Sequence, residues 1–299
     1  MPSIKNYLSL VKFSHTIFAM PFAVIGFFLG FFSLPISVVP GWHTVIYPNN
    51  FFLIKFILVI VCMVTARSAA MAFNRYLDRN FDIKNPRTAL REIPAGIVSK
   101  ENALRFVIIN CLLFITATFF INRICFFLSP VALFVILFYS YTKRFTALCH
   151  LVLGVGLSLA PIGAYLAVAG QFDVLPILFS ITVLCWVSGF DIIYALQDED
   201  FDKNNQLKSI PSVLGKIKAL RVSEFLHLLS AATVVYAGVY GHFGFWYWAG
   251  VVVFCGLLIY QHLLVKPNDL SKVNMAFFTT NGIASVVFAV FVLLDLFFH

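Results

Sequence analysis

Residues 174–202 read V-L-P-I-L-F-S-I-T-V-L-C-W-V-S-G-F-D-I-I-Y-A-L-Q-D-E-D-F-D. An uncharged run leads into carboxylates at Asp191, Asp198, Glu199, Asp200 and Asp202. The apolar part, 174–195, is long enough to cross a bilayer, which takes ~20 residues of helix. Lipid offers the backbone no hydrogen-bond partners, so a spanning segment is either a helix or a strand of a closed barrel. A barrel strand would alternate over ~10 residues, whereas this run is continuously apolar. The stretch therefore predicts a membrane helix whose end carries acidic chemistry.

Eight further runs share its character: roughly 16–36, 51–73, 104–121, 124–141, 149–169, 219–240, 244–265 and 275–298. Only Asn122 and Arg123 separate the third and fourth spans, which predicts a tight turn. Across 299 residues, 61% are hydrophobic and 11% charged, against about a quarter charged in soluble domains. A water-soluble surface is thereby excluded. The expected fold is all-α: a polytopic membrane protein of nine transmembrane helices around a central cavity open to the cytoplasm, one domain over residues 1–299. Most of the 35 Phe are expected to face lipid or pack between helices. The six cysteines are scattered singly, so neither a disulfide framework nor a zinc site is indicated. No cleavable signal peptide is expected, because the first run follows Lys5 and Lys12 and exceeds a signal core.

Basic residues orient the bundle. With nine spans and the N-terminus inside, all of the 21 Lys and Arg except Lys55 and Arg123 fall at cytoplasmic segments or adjoining helix ends. That asymmetry is the positive-inside rule, and it accounts for the net charge of +8 without nucleic-acid binding. The C-terminus is then outside. Two cytoplasmic segments stand out by polarity, about 74–103 and 197–218.

Each opens on an acidic motif. Asn74, Asp78 and Asp82 are spaced i, i+4, i+8, one stripe of a helix. Asp191, Asp198 and Asp202 follow at i, i+7, i+11, with Tyr194 beside them. Asp78 and Asp198, like Asp82 and Asp202, are 120 residues apart. Carboxylates one turn apart repel, and near hydrocarbon they cost more, so a divalent cation is the expected compensation. Carboxylates and an amide oxygen suit Mg²⁺, which takes one or two carboxylates plus substrate phosphates. Glu199 and Asp200 point off the stripe and are expected to be solvated. Asp191 lies deeper than Asp198, where a purely structural carboxylate is hardest to explain.

On these residues the chain resembles the UbiA-type intramembrane aromatic prenyltransferases. The N-x-x-x-D-x-x-x-D signature stands as Asn74, Asp78 and Asp82; Y-x-x-x-D-x-x-x-D as Tyr194, Asp198 and Asp202; Y-x-x-x-K as Tyr139 and Lys143, followed by Arg144. The resemblance implies a Mg²⁺-dependent enzyme in the bacterial inner membrane or its equivalent, with Asn74, Asp78, Asp82, Asp198 and Asp202 holding metal. Its donor would be a polyprenyl diphosphate, bound by Lys143 and Arg144 with Arg79 and Lys208 as further candidates. Tyr139 and Tyr194 would hydrogen-bond diphosphate or acceptor. Asp191 and Asp198 are the candidate catalytic carboxylates, Asp191 as base or hydroxyl anchor. The stretches Asn85–Gly96 and Leu207–Pro211 look like the quinone-pathway branch, whose acceptor is a small aromatic acid, 4-hydroxybenzoate or a dihydroxynaphthoate. Arg67, Arg87 or Arg91 would orient its carboxylate. Haem and homogentisate are alternative acceptors. An ion-coupled transporter is the rival class, but no polar residues continue the path to the far face.

Overall fold

The computed structural model describes residues 3–12, 18–34 and 50–299. A short helix, α1 (Ile4–Leu10), precedes the apolar α2 (Met20–Ser33). Then come α3 (Phe51–Asp82), α4 (Lys100–Ile121), α5 (Arg123–Thr142), α6 (Cys149–Ala169) and α7 (Val174–Ala195). Two short helices, α8 (Glu199–Asn204) and α9 (Ile210–Leu214), lead into α10 (Lys216–Tyr240) and α11 (Phe245–Leu264). A π-helical turn, Met275–Thr280, runs directly into α12 (Asn281–Phe298). Among the described residues, eight helical segments are long and apolar enough to cross a membrane. The first predicted run, 16–36, is described only in part: α2 is apolar but 14 residues long, and both ends of that run lie outside the described residues. The protein is an all-helical, polytopic membrane protein.

Local chemistry sets the helix ends. Asn122 forms the tight turn expected between α4 and α5: its Oδ1 accepts the Cys125 N–H at 2.9 Å, and its Nδ2 donates to the Leu166 and Ala167 carbonyls. Lys55 Nζ donates to the same Ala167 oxygen at 2.6 Å. These donors satisfy carbonyls that the end of α6 leaves unpaired. Asp295 on α12 accepts from the Gly244 and Tyr247 N–H groups at 2.8 and 3.1 Å. A buried carboxylate in the last turn of α12 thus caps the start of α11.

Close backbone approach holds the two halves together. A Cβ on Gly154 of α6 would stand 2.6 Å from the Leu184 carbonyl oxygen of α7, so only glycine fits. Gly26 of α2 meets the Pro161 backbone of α6 more tightly still. Small residues at such crossings substitute for a hydrophobic drive that lipid does not supply. α7 is the central helix: most of its residues are buried, whereas few of those of α5 are. Phe22, Phe179, Trp186, Tyr247, Phe254 and Phe288 form an aromatic core beside it.

α3 continues nine residues past the predicted span end, because no proline intervenes before Pro86. The first acidic motif is therefore helical, as its stripe requires. The second is not one unbroken α-helix: residues 196–198 tighten into a 3₁₀ turn between α7 and α8.

Candidate active site

A cavity of about 300 Å³ opens where the ends of α3, α5 and α7 meet the segments 83–91 and 275–280. It is lined by both acidic motifs, by Arg67, Tyr139, Lys143, Arg144 and Tyr194, and by Asp191. Segments 120 residues apart in sequence thus share one wall. Asn85 Nδ2 bridges them directly, donating to Asp198 Oδ1 at 3.2 Å.

Each of the four motif aspartates has its own cation. Arg144 Nη2 is 2.8 Å from Asp78 Oδ1. Arg91 Nη1 straddles both oxygens of Asp82, at 2.9 and 3.1 Å. Arg87 grips Asp198 through two bonds, Nη2 to Oδ2 at 2.6 Å and Nε to Oδ1 at 3.1 Å. Lys143 Nζ lies 2.8 Å from Asp202 Oδ1. Lys143 and Arg144 are adjacent in the chain yet serve opposite motifs. Arg87 also donates to Tyr194 Oη at 2.9 Å, and Asn74 Nδ2 donates to Asp78 Oδ2 at 3.0 Å. Burial disfavours the Lys143 ammonium, but Asp202 and then Asp198 outweigh it and hold its pKa above the usual lysine range. Lys12, on the cavity rim, is pushed the other way, by burial and then by Arg75 and Arg91.

The oxygens suit a hard cation. Asp202 is fully buried; its Oδ2 accepts from Ser209 Oγ at 2.8 Å, while Oδ1 has the Lys143 ion pair but no aligned hydrogen-bond donor. Among the described residues no three acidic, His or Cys side chains converge into a complete metal cage. Facing carboxylates with incomplete cages fit Mg²⁺, which fills its remaining positions with phosphate oxygens and water.

Asp191 sits below this layer. His150 Nδ1 is 2.7 Å from its Oδ2, and the side chain remains 22% exposed to the cavity. A second, apolar cavity of about 380 Å³ runs between α3, α5 and α6. Five residues line both: Arg67, Met71, Tyr139, Leu153 and Leu157. Arg67 Nε is buried there with no hydrogen-bond partner among the described residues.

Three expectations need correction. Arg79 does not line the cavity: one residue past Asp78 is about 100° round the helix, and its guanidinium bonds the Tyr76 carbonyl and covers that ring. Lys208 does not line it either. Gln206, at φ 55°, reverses the chain, so the Lys208 backbone N–H meets the Lys143 carbonyl at 2.7 Å and its side chain is exposed. Glu199, expected in solvent, is buried against Lys203 and Lys216; Asp200 is exposed as expected. Of the arginines suggested for an acceptor carboxylate, Arg87 and Arg91 are engaged by the motif aspartates. Their charge, in the segment that follows the first motif, was the only signal. Asn85 and His150 carried none.

The sequence profile of the UbiA prenyltransferase family matches residues 34–283. The chain belongs to this family. It is a UbiA-family prenyltransferase, as its three motifs implied. The 4-hydroxybenzoate octaprenyltransferase of Nitrosomonas europaea is 31% identical over 252 residues, covering 84% of this chain and 85% of that protein. The enzyme of the same name from Francisella tularensis subsp. mediasiatica is 29% identical over 246 residues, 82% and 85% of the two chains. Among solved structures, a UbiA homolog from Aeropyrum pernix K1 superposes with a TM-score of 0.81 at 28% identity, covering 94% of this chain and 98% of that one. A UbiA homolog from Archaeoglobus fulgidus bound to DMAPP and Mg²⁺ has a TM-score of 0.71 at 20% identity, covering 98% and 100%. That likeness is one of fold.

Proposed function

We propose that this UbiA-family enzyme transfers a polyprenyl group from a polyprenyl diphosphate to a 4-hydroxybenzoate-like aromatic acid, with Mg²⁺, releasing diphosphate. One observation carries the reading: four cations paired with four motif aspartates at the mouth of a polar cavity that joins an apolar one. Two metal-binding carboxylate pairs with interleaved Arg and Lys are what a diphosphate needs, and the apolar cavity suits its prenyl tail. The names of the curated relatives support the acceptor, and the A. fulgidus homolog bound to DMAPP and Mg²⁺ supports the donor.

Asn74, Asp78, Asp82, Asp198 and Asp202 would hold Mg²⁺, which supplies Lewis-acid neutralisation of the departing diphosphate. Lys143, Arg144, Arg87 and Arg91 contribute charge-assisted hydrogen bonds to phosphate oxygens. Tyr194, tied to Arg87, and Tyr139, at the junction of the cavities, orient donor and acceptor. Arg67 pairs with the acceptor carboxylate, using the Nε that has no other partner. The allylic C–O bond breaks and its electron pair leaves on diphosphate. The ring carbon beside the acceptor hydroxyl forms the new C–C bond, and Asp191 takes or holds the phenolic proton. The basic-residue asymmetry supports a cytoplasmic mouth and N-terminus, nine spans and an external C-terminus.

The test is mass analysis of products from purified protein given Mg²⁺, a polyprenyl diphosphate and each aromatic acid in turn. Prenylated 4-hydroxybenzoate with diphosphate release supports the reading. A prenylated dihydroxynaphthoate alone would move it to the neighbouring branch. No turnover of diphosphate with any acid overturns it in favour of transport or lipid binding.

A further inference from the structure

Beside the cavity, the segment leading into α12 leaves α geometry in a π-helical turn at 275–280, and Asn281 locks it. Asn281 is fully buried. Its Nδ2 donates to the Ala276 and Phe277 carbonyls at 3.3 and 2.9 Å, inside the turn. Its Oδ1 accepts from Trp186 Nε1 at 3.0 Å and from Gln261 Nε2 at 2.6 Å, on α7 and α11. An amide side chain has two N–H donors and two acceptor sites, so every one is used. Polar groups this deep in a membrane are costly and mark function, and π turns concentrate at functional sites.

The turn delivers two neighbouring aromatic residues, Phe277 and Phe278, to the cavity wall. Successive α-helical residues diverge by about 100°; the wider turn lets both face inward. Phe277 stacks on Tyr194 with ring centroids 4.2 Å apart and meets Phe190 edge-on at 5.3 Å. Tyr194 in turn holds Arg87, whose guanidinium lies 5.4 Å over its ring. The aromatic wall is continuous from Asn281 to the residue that grips Asp198.

We propose that Phe277 and Phe278 are the wall that keeps water from the reacting allylic carbon, and that Asn281 is a positioning residue acting through them. This rests on the prenyltransferase reading above. When the C–O bond breaks, its electron pair leaves on diphosphate, and the electron-poor carbon takes the nearest nucleophile. If that is the acceptor ring, a C–C bond forms. If it is water, a C–O bond forms, a proton passes to solvent, and the products are prenyl alcohol and diphosphate. Aromatic faces exclude water and stabilise positive charge; an aliphatic residue in their place does neither as well.

The experiment uses the full chain in lipid nanodiscs with Mg²⁺, labelled geranyl diphosphate and 4-hydroxybenzoate, and measures the ratio of geraniol to prenylated acid. The variants are Phe277→Leu, Phe278→Leu, Asn281→Ala and Trp186→Phe, the last removing one bond to Asn281 while keeping an aromatic core residue. In the wild type the alcohol share is small. The Phe variants and Asn281→Ala should raise it roughly tenfold, the factor that about 1.4 kcal/mol in a barrier represents, with Trp186→Phe intermediate. Should Asn281→Ala not fold, Trp186→Phe carries the test of positioning and the Phe variants that of the wall. Slower turnover or lower thermal stability at an unchanged alcohol ratio overturns the proposal, leaving Asn281 as interhelical glue. A wild type that consumes no diphosphate instead overturns the enzymatic reading, so the two failures are distinct.

Discussion

His150 Nδ1 lies 2.7 Å from Asp191 Oδ2, while the Ile210 N–H donates to His150 Nε2 at 3.3 Å. An imidazole that accepts at one nitrogen carries its proton on the other. The His150 Nδ1–H therefore donates to Asp191 Oδ2 and fixes the direction of that side chain, with its second oxygen left for a ligand. α6 and α7 supply the pair, and α9, whose N-terminal residue is Ile210, fixes the tautomer.

Asp191→Asn should lower kcat with donor KM unchanged, the loss easing at higher pH, where the phenol gives up its proton more readily. His150→Asn keeps a donor at about the Nδ1 position and should outperform His150→Leu. An Asp191→Asn protein with normal turnover and reduced thermal stability would reduce this carboxylate to a bond between helices.

Metal dependence follows from the four aspartates. Asp78→Ala, Asp82→Ala, Asp198→Ala and Asp202→Asn should each cut turnover by several kcal/mol of lost electrostatic stabilisation, on the order of a hundredfold or more. Chelator should abolish product formation and added Mg²⁺ restore it; full activity in excess chelator would falsify the assignment. Asp202→Asn is preferred to alanine because Ser209 still has a partner, and the fully buried site is not left hollow.

Lys143 and Arg144 offer a finer test, since each faces a different motif. Lys143→Ala should raise the donor KM roughly tenfold, the loss expected for a charge-assisted bond of about 1.5 kcal/mol, with little change for the acceptor. Arg87→Lys should be nearly as harmful as Arg87→Ala: lysine cannot make the two-point grip on Asp198 and reach Tyr194 as well. Equal effects on donor and acceptor KM would refute the division of labour.

Sequence reasoning reached the parts of this site that depend on period. The stripe Asn74, Asp78, Asp82 survives because α3 runs unbroken to residue 82. Positions decided by a single irregular dihedral were beyond it. Gln206 at positive φ turns Lys208 away, and the 3₁₀ turn at 196–198 rotates Glu199 into a buried pocket with Lys203 and Lys216. The π turn at 275–280 was not legible in a run of 24 residues: Thr279, Thr280, Asn281 and Gly282 interrupt the apolar pattern but do not distinguish a π turn from an α turn. Arg87 and Arg91 were visible as charges, but their targets depend on how the non-helical stretch after Ile83 folds back, which their spacing alone does not specify.

Arg67 gives the sharpest prediction about substrate choice. It stands on α3 two turns before Asn74, where the polar and apolar cavities meet, with a buried Nε that no described residue satisfies. A cation kept there without a carboxylate partner from the protein itself is costly, and an acid acceptor supplies the missing charge. Arg67→Leu should raise the acceptor KM by about ten- to a hundredfold, matching the 1.5–3 kcal/mol of hydrogen bonds to a charged group, and leave the donor KM near wild type. The same variant should lose its preference for 4-hydroxybenzoate over 4-hydroxybenzamide, because the amide cannot pair with the guanidinium as an anion does. Competition between acid and amide in one reaction, read by product mass, measures this directly. A preference unchanged by the substitution would assign the acceptor carboxylate to another residue and leave Arg67 as part of the cavity wall.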